Sequence, residues 1–139
     1  MTAEGFVLDA STAVAWAFED EDDPAADRIA DLMVDGFAVV PALWHVELAN
    51  ALALGMRRDR IDSEGAERFL SLLEALDIRT DAVVPDAGRL AVAAVQHGLT
   101  AYDATYLQLA HERTLPLATR DRALATAATS AGITVITGR

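Results

Sequence analysis

The 139-residue chain has the length of one domain, residues 1–139, and its 53% hydrophobic content is ample for a packed core and too high for a disordered segment. Cysteine is absent, which excludes disulfides, zinc–thiolate sites and cysteine nucleophiles, and no run of about eighteen uncharged apolar residues offers a membrane span. Charge is lopsided: 22 acidic residues face 11 basic ones for a formal net charge of −11, and every basic residue is arginine, so chemistry that needs a lysine nucleophile or a phosphate-cradling lysine is excluded as well.

Gly5 to Asp9 reads as a short buried strand ending in an acid. Glu4 and this early strand stand where a signal peptide would carry basic and then apolar residues, which predicts a cytoplasmic protein. Ser11 or Thr12 is the expected cap of a helix whose apolar body is Ala13 to Phe18. The run Glu19-Asp20-Glu21-Asp22-Asp23 reads as a solvated loop, and Pro24 opens a second helix to about Val34 with Ile29, Leu32 and Met33 inward. Gly36 ends that helix, and Phe37 to Val40 form the next buried strand, closed by Pro41. Helical periodicity then covers Leu43 to Met56 and Ser63 to Leu76, followed by a short strand at Ile78 to Thr80. Further helices are predicted over Asp86 to Gln96, ending at His97-Gly98, and over Ala101 to Arg113 with Leu107 and Ala110 inward. A strand at Leu115 to Thr119, a helix from Arg122 to Ala131 and a strand from Ile133 to Ile136 complete the chain.

Apolar strands alternating with helices predict an α/β fold with a parallel sheet covered on both faces. Ligands of such sheets bind outside the carboxyl ends of the strands. Asp9 follows the first strand directly and Asp121 comes two residues after Thr119, so both acids are expected at one rim. Glu47, early in the helix after the second strand, lies in an apolar run that makes it expensive to bury without a partner; Asn50, three residues on, is placed to hydrogen-bond the acid or a metal-bound water. Asp103 begins its helix in equally apolar surroundings.

Four carboxylates at one rim cannot all stay ionised without a counter-charge. A protein this acidic is also repelled by nucleic acid unless cations neutralise it. Oxygen ligands alone, with no histidine pair, favour Mg²⁺ or Mn²⁺, which suits hydrolysis of a phosphodiester. Taken singly, each acid also admits a structural role: Asp121 as a helix cap, Asp103 as a partner of a helix dipole, Asp9 as a turn residue, Glu47 as half of an ion pair.

Four segments in order, Val7-Leu8-Asp9-Ala10-Ser11, Val40-Pro41 through Glu47-Leu48-Ala49-Asn50, Leu99-Thr100-Ala101-Tyr102-Asp103-Ala104 and Leu117-Ala118-Thr119-Arg120-Asp121, resemble the successive motifs of PIN (PilT N-terminus) domains, most closely the VapC-type toxins. The resemblance covers essentially the whole chain. It implies a doubly wound α/β domain with a central parallel sheet of four or five strands flanked by about seven helices. It implies an endoribonuclease dependent on Mg²⁺ or Mn²⁺, in which Asp9, Glu47, Asp103 and Asp121 hold the metal and a metal-activated water attacks the phosphate. Ser11 and Thr119 match positions that carry small hydroxyl residues near the site and orient ligands or water. Also implied are a homodimer, a cognate VapB-like antitoxin whose C-terminal segment crosses the toxin groove, and transfer or ribosomal RNA as target.

Arg57, Arg58 and Arg60 form the densest basic cluster and are candidates to hold RNA phosphates, with Arg120 and Arg122 beside Asp121 as further ones; helix-end or ion-pair roles are the structural counterpart. Trp16, Phe18 and Trp44 are expected in the core, with a place in the antitoxin groove as the alternative. His97 reads as the end of a helix, while His45 and His111 have no partner suggested by spacing. Receiver-type phosphotransfer domains and haloacid-dehalogenase-like phosphatases share the topology but require a lysine that is missing here, and position 11 is serine where the latter carry a second acid. A PIN fold that has lost catalysis and only binds is the remaining rival.

Overall fold

The computed structural model describes residues 4–18 and 23–136. Most of the acidic run, residues 19–22, lies outside them. The first strand, β1 (Gly5–Leu8), runs into α1 (Ala10–Ala17), which is capped by Asp9 and not by Ser11 or Thr12. The reason is backbone geometry: Asp9 still has extended φ/ψ while Ala10 is already helical, so the first side chain able to reach a free amide belongs to the acid. Pro24 then starts α2 (Pro24–Leu32), with Asp23 accepting from the Ala25 and Ala26 amides. Ile29 and Met33 point inward as expected, but Leu32 is 36% exposed. On a helix that buries Ala26, Ile29 and Met33, position 32 falls to the side of the apolar stripe.

β2 (Phe37–Pro41) leads straight into α3 (Ala42–Arg57), and α4 (Ser63–Glu74) carries the chain to β3 (Ile78–Asp81). The remaining elements are α5 (Ala87–His97), α6 (Ala101–Arg113), β4 (Leu117–Ala118), α7 (Arg122–Ser130) and β5 (Val135–Ile136), giving seven helices among the described residues. His97 is the last residue of α5, closed by Gly98 at φ 65°, a left-handed cap that glycine adopts without a Cβ penalty. β4 is shorter than the expected Leu115–Thr119 because Pro116 has no N–H to give the ladder, although its carbonyl accepts from Val7 at 2.8 Å.

The sheet has five parallel strands in the order β3-β2-β1-β4-β5. Connections run outward from β1 in one direction through α1 to α4, then switch to the other side of β1 through α5 and α6. Right-handed crossovers in opposite directions place these helices on opposite faces of a doubly wound sheet. α6 packs on β1, β2 and β4 beside α5 and α7, while α1 packs with α2, α3 and α4. Between these layers lie Val7, Leu8, Val40, Leu117 and Leu124, all fully buried. Phe18 and Trp44 are core residues, and Trp16 packs against the core with its indole N–H on the Ala26 carbonyl at 2.8 Å. No helix among the described residues is long and apolar enough to cross a membrane.

The direction switches between β1 and β4, and by the general rule for such sheets the crevice for a ligand lies outside their carboxyl ends. Asp9 and Thr119 are the first residues beyond those two strands.

Candidate metal centre

Asp9 is the most enclosed acid, 4% exposed at the end of β1. Its Oδ2 accepts from the Thr119 hydroxyl at 2.6 Å and from the Ser11 hydroxyl at 2.8 Å, while Oδ1 lies 3.5 Å from the Ser11 amide. The Asp9 amide continues the ladder to β4 through the Ala118 carbonyl at 2.9 Å. Burial pushes the Asp9 carboxyl above its ordinary value of 3.8; the Thr119 and Ser11 hydroxyls and the Ser11 amide oppose that rise, and the nearby Asp121 charge adds to it.

Asp121 enters from the other side of the crevice as the cap of α7, its Oδ1 accepting from the Leu124 amide at 3.1 Å. Its own amide donates to Thr119 Oγ1 at 3.0 Å, so the two acids share one threonine. Asp103 sits in the first turn of α6, whose cap is Thr100, the threonine oxygen accepting from the Asp103 amide at 3.1 Å. Burial raises the Asp103 carboxyl, and the charges of Asp121 and Asp9 raise it further. Glu47 lies in the second turn of α3, half-buried, its Oε1 taking a 2.6 Å hydrogen bond from the Tyr106 hydroxyl. Burial also raises Glu47, against the Tyr106 bond, with Asp9 and Asp103 contributing repulsion.

The electrostatic pairs are Asp9–Asp121, Asp9–Glu47, Asp9–Asp103, Glu47–Asp103 and Asp103–Asp121, so all four acids share one field with Asp9 at its centre. Asp9, Glu47 and Asp103 are raised by burial and by one another's and Asp121's charges. Among the described residues no three histidine, aspartate or glutamate side chains are gathered closely enough to grip one ion as they stand. The donor set nevertheless fits a hard divalent cation: it is all oxygen, and three carboxyls are held in surroundings that disfavour their own charge. Mg²⁺ keeps several waters and takes one or two carboxylates directly, so it does not need a closed protein cage.

Other sequence candidates lie at varied distances from this cluster. Ser11 and Thr119 touch it, both through Asp9. Asn50 is exposed one turn along α3 from Glu47, whose hydrogen bond comes from Tyr106 instead. Arg57 ends α3, Arg58 caps it, and the Arg60 guanidinium lies over the Phe18 ring at 4.2 Å. Arg120 is ion-paired with Asp23 at 2.6 Å. His45 does have a partner, Thr80, at 2.8 Å from its Nε2; the pairing joins α3 to β3 across a sequence distance that helical spacing does not reveal.

Tyr106 was not among the candidates read from the sequence. The available signal was its position three residues after Asp103, which places a polar ring tip on the same helical face as a site acid. It is fully buried, and burial followed by the Glu47 charge holds its phenol strongly toward the protonated form.

The PIN domain family model matches residues 6–130. No curated protein matches the sequence. Among solved structures the chain is similar to PAE2754 from Pyrobaculum aerophilum, 27% identical over 97% of this chain and 92% of that one, with a TM-score of 0.71. It also shares its fold with FitAcB from Neisseria gonorrhoeae, 20% identical over 96% of this chain and 97% of that one, with a TM-score of 0.63. PIN domains are generally metal-dependent nucleases, a chemistry in keeping with oxygen donors clustered at a sheet's switch point. Because the family model spans nearly the whole described sequence, the chain belongs to the PIN domain family.

Proposed function

We propose that this PIN domain is a Mg²⁺- or Mn²⁺-dependent endoribonuclease of the VapC toxin type, one domain over residues 1–139, acting through Asp9, Glu47, Asp103 and Asp121. The observation that carries the reading is the shared field of these four acids, in which three carboxyls are raised by burial and by mutual repulsion. A bound divalent cation supplies the missing positive charge, lowers the pKa of a coordinated water and stabilises charge on the phosphate.

The residues divide the remaining work. Thr119 and Ser11 fix the Asp9 carboxylate, so its free lone pairs face the crevice in one orientation. Asp121 is held by the start of α7, and Asp103 by the first turn of α6. Asn50 is assigned to a water at the edge of the site. Arg57, Arg58 and Arg60 grip backbone phosphates of the RNA, overcoming the repulsion set by a net charge of −11. Arg120 joins them by exchanging Asp23 for phosphate. By resemblance to the VapC type, the protein acts in the cytoplasm as a homodimer on transfer or ribosomal RNA and is restrained by a VapB-like antitoxin.

A binding-only PIN domain is the second reading, and one observation favours it: no three ligands are already gathered around a common point among the described residues. Incubation of RNA with the purified protein, with Mg²⁺ or Mn²⁺ and with chelator, separates the two. The nuclease reading expects cleavage that needs the cation and is lost in Asp9→Asn, with discrete new 5′ ends on sequencing. Intact RNA under every metal condition, with retained RNA binding, establishes the binding-only reading.

A further inference from the structure

We infer that Tyr106 is a positioning residue for the metal site, a buried phenol that locks the rotamer of Glu47 and so sets where that carboxylate meets a cation. The inference rests on the metal-nuclease reading above and adds a residue to it.

Tyr106 and Asp103 are three residues apart on α6, on one helical face, yet their tasks differ. Asp103 reaches the acid cluster itself. Tyr106 is fully buried and sends its hydroxyl to Glu47 Oε1 at 2.6 Å, a short bond of the kind a charged acceptor makes. The hydroxyl of α6 thereby holds an acid of α3, 59 residues away in the chain.

No other side-chain hydrogen bond joins α3 to α6 among the described residues. α6 packs on the sheet, whereas α3 packs chiefly on α1 and the end of β2, so the Tyr106–Glu47 bond links helices whose main contacts lie elsewhere. Glutamate has three side-chain torsions, and fixing one oxygen removes much of that freedom while leaving Oε2 as the available donor. A fully buried ring is suited to that task, in the way partners of metal ligands orient the ligands they touch.

The test is Mn²⁺ binding without RNA, followed by calorimetry on the wild type, Tyr106→Phe, Glu47→Ala and the double variant, with thermal melts to establish folding. The wild type should bind Mn²⁺, Tyr106→Phe should bind about 10- to 100-fold more weakly, and the double variant should bind no more weakly than Glu47→Ala alone. Equal affinity of the wild type and a folded Tyr106→Phe overturns the inference. Failure of the wild type itself to bind overturns instead the metal-nuclease reading on which it rests. Should the Phe variant not fold, the near-ultraviolet tyrosine difference spectrum of Tyr102→Phe on Mn²⁺ addition decides: a Tyr106 band supports the inference, and a flat spectrum with Mn²⁺ bound overturns it.

Discussion

The Thr119 hydroxyl donates to Asp9 Oδ2 at 2.6 Å while accepting from the Asp121 amide at 3.0 Å, so a single side chain spans the acid that ends β1 and the acid that caps α7. Thr119→Val keeps the shape and removes both bonds. A buried carboxylate that loses its donor costs more than an average hydrogen bond, and the variant should be destabilised by about 2 kcal/mol. Thr119→Ser retains the hydroxyl and should lie much closer to the wild type. Chemical denaturation measures the order; a valine variant as stable as the serine one removes Thr119 from this role.

The three raised carboxyls make a statement about pH. For Asp9, Glu47 and Asp103 the folded protein holds the proton more tightly than the unfolded chain does. Their stabilising contribution is full below the ordinary values of 3.8 and 4.5 and is given up as pH rises through the higher folded values. In chelator, the protein should therefore melt at a higher temperature near pH 5 than near pH 7.5, and Mg²⁺ or Mn²⁺ should narrow the gap by favouring the ionised acids. The Asp77–Arg79 pair acts in the opposite sense but is too solvated to offset three enclosed groups. A triple variant, Asp9→Asn, Glu47→Gln and Asp103→Asn, should show a smaller pH dependence; an unchanged one sinks the attribution.

Replacing Arg57, Arg58 and Arg60 together with alanine should weaken RNA binding and lower the slope of log affinity against log salt by about 2, from roughly 0.7 per phosphate contact on a single strand. Arg60 also lies over Phe18, a contact worth about 0.5–1 kcal/mol, so a modest drop in melting temperature is expected alongside. Titrations at several salt concentrations supply the slope, and unchanged binding removes the cluster from the RNA surface.

Most of the fold was legible because most of its strands are short apolar runs, some closed by an acid or a proline, as in Phe37 to Pro41. Periodicity located all the helices, but it missed the side of α2 on which Leu32 falls and the acid that caps α1. Chain order likewise indicated which acids end up near the switch point, since Asp9 follows β1 directly and Asp121 comes three residues after β4. Contacts between distant segments were not legible in this way. His45 finds Thr80 and Glu47 finds Tyr106 only after α3, β3 and α6 have packed, with 59 residues separating the second pair. Arg120 had two readings in sequence, and its ion pair with Asp23 depends on how the segment after β4 meets the cap of α2.

Gly55 is buried on α3 where an added Cβ meets the Phe18 ring at 2.7 Å. Two effects compete in Gly55→Ala. Alanine gains up to about 1 kcal/mol of helix propensity, but overpacking against a buried ring costs roughly 1–3 kcal/mol. Phe18 is only 3% exposed and lies beneath Arg60, so it has little room to yield and the variant should be less stable by about 1 kcal/mol. A rise in the thermal midpoint overturns that balance.

β1 is made early and lies at the middle of the sheet, with β2 on one edge and β4, more than a hundred residues later, on the other. A ribosome that stalls, or a protease that cuts, before Leu117 leaves β1 with one bare edge and Asp9 without Thr119. Such a fragment also lacks Asp121, so the four acids cannot come together in it. Assembly of the acid cluster therefore waits on a pairing between the two ends of the chain, the long-range kind of contact that is slow to form.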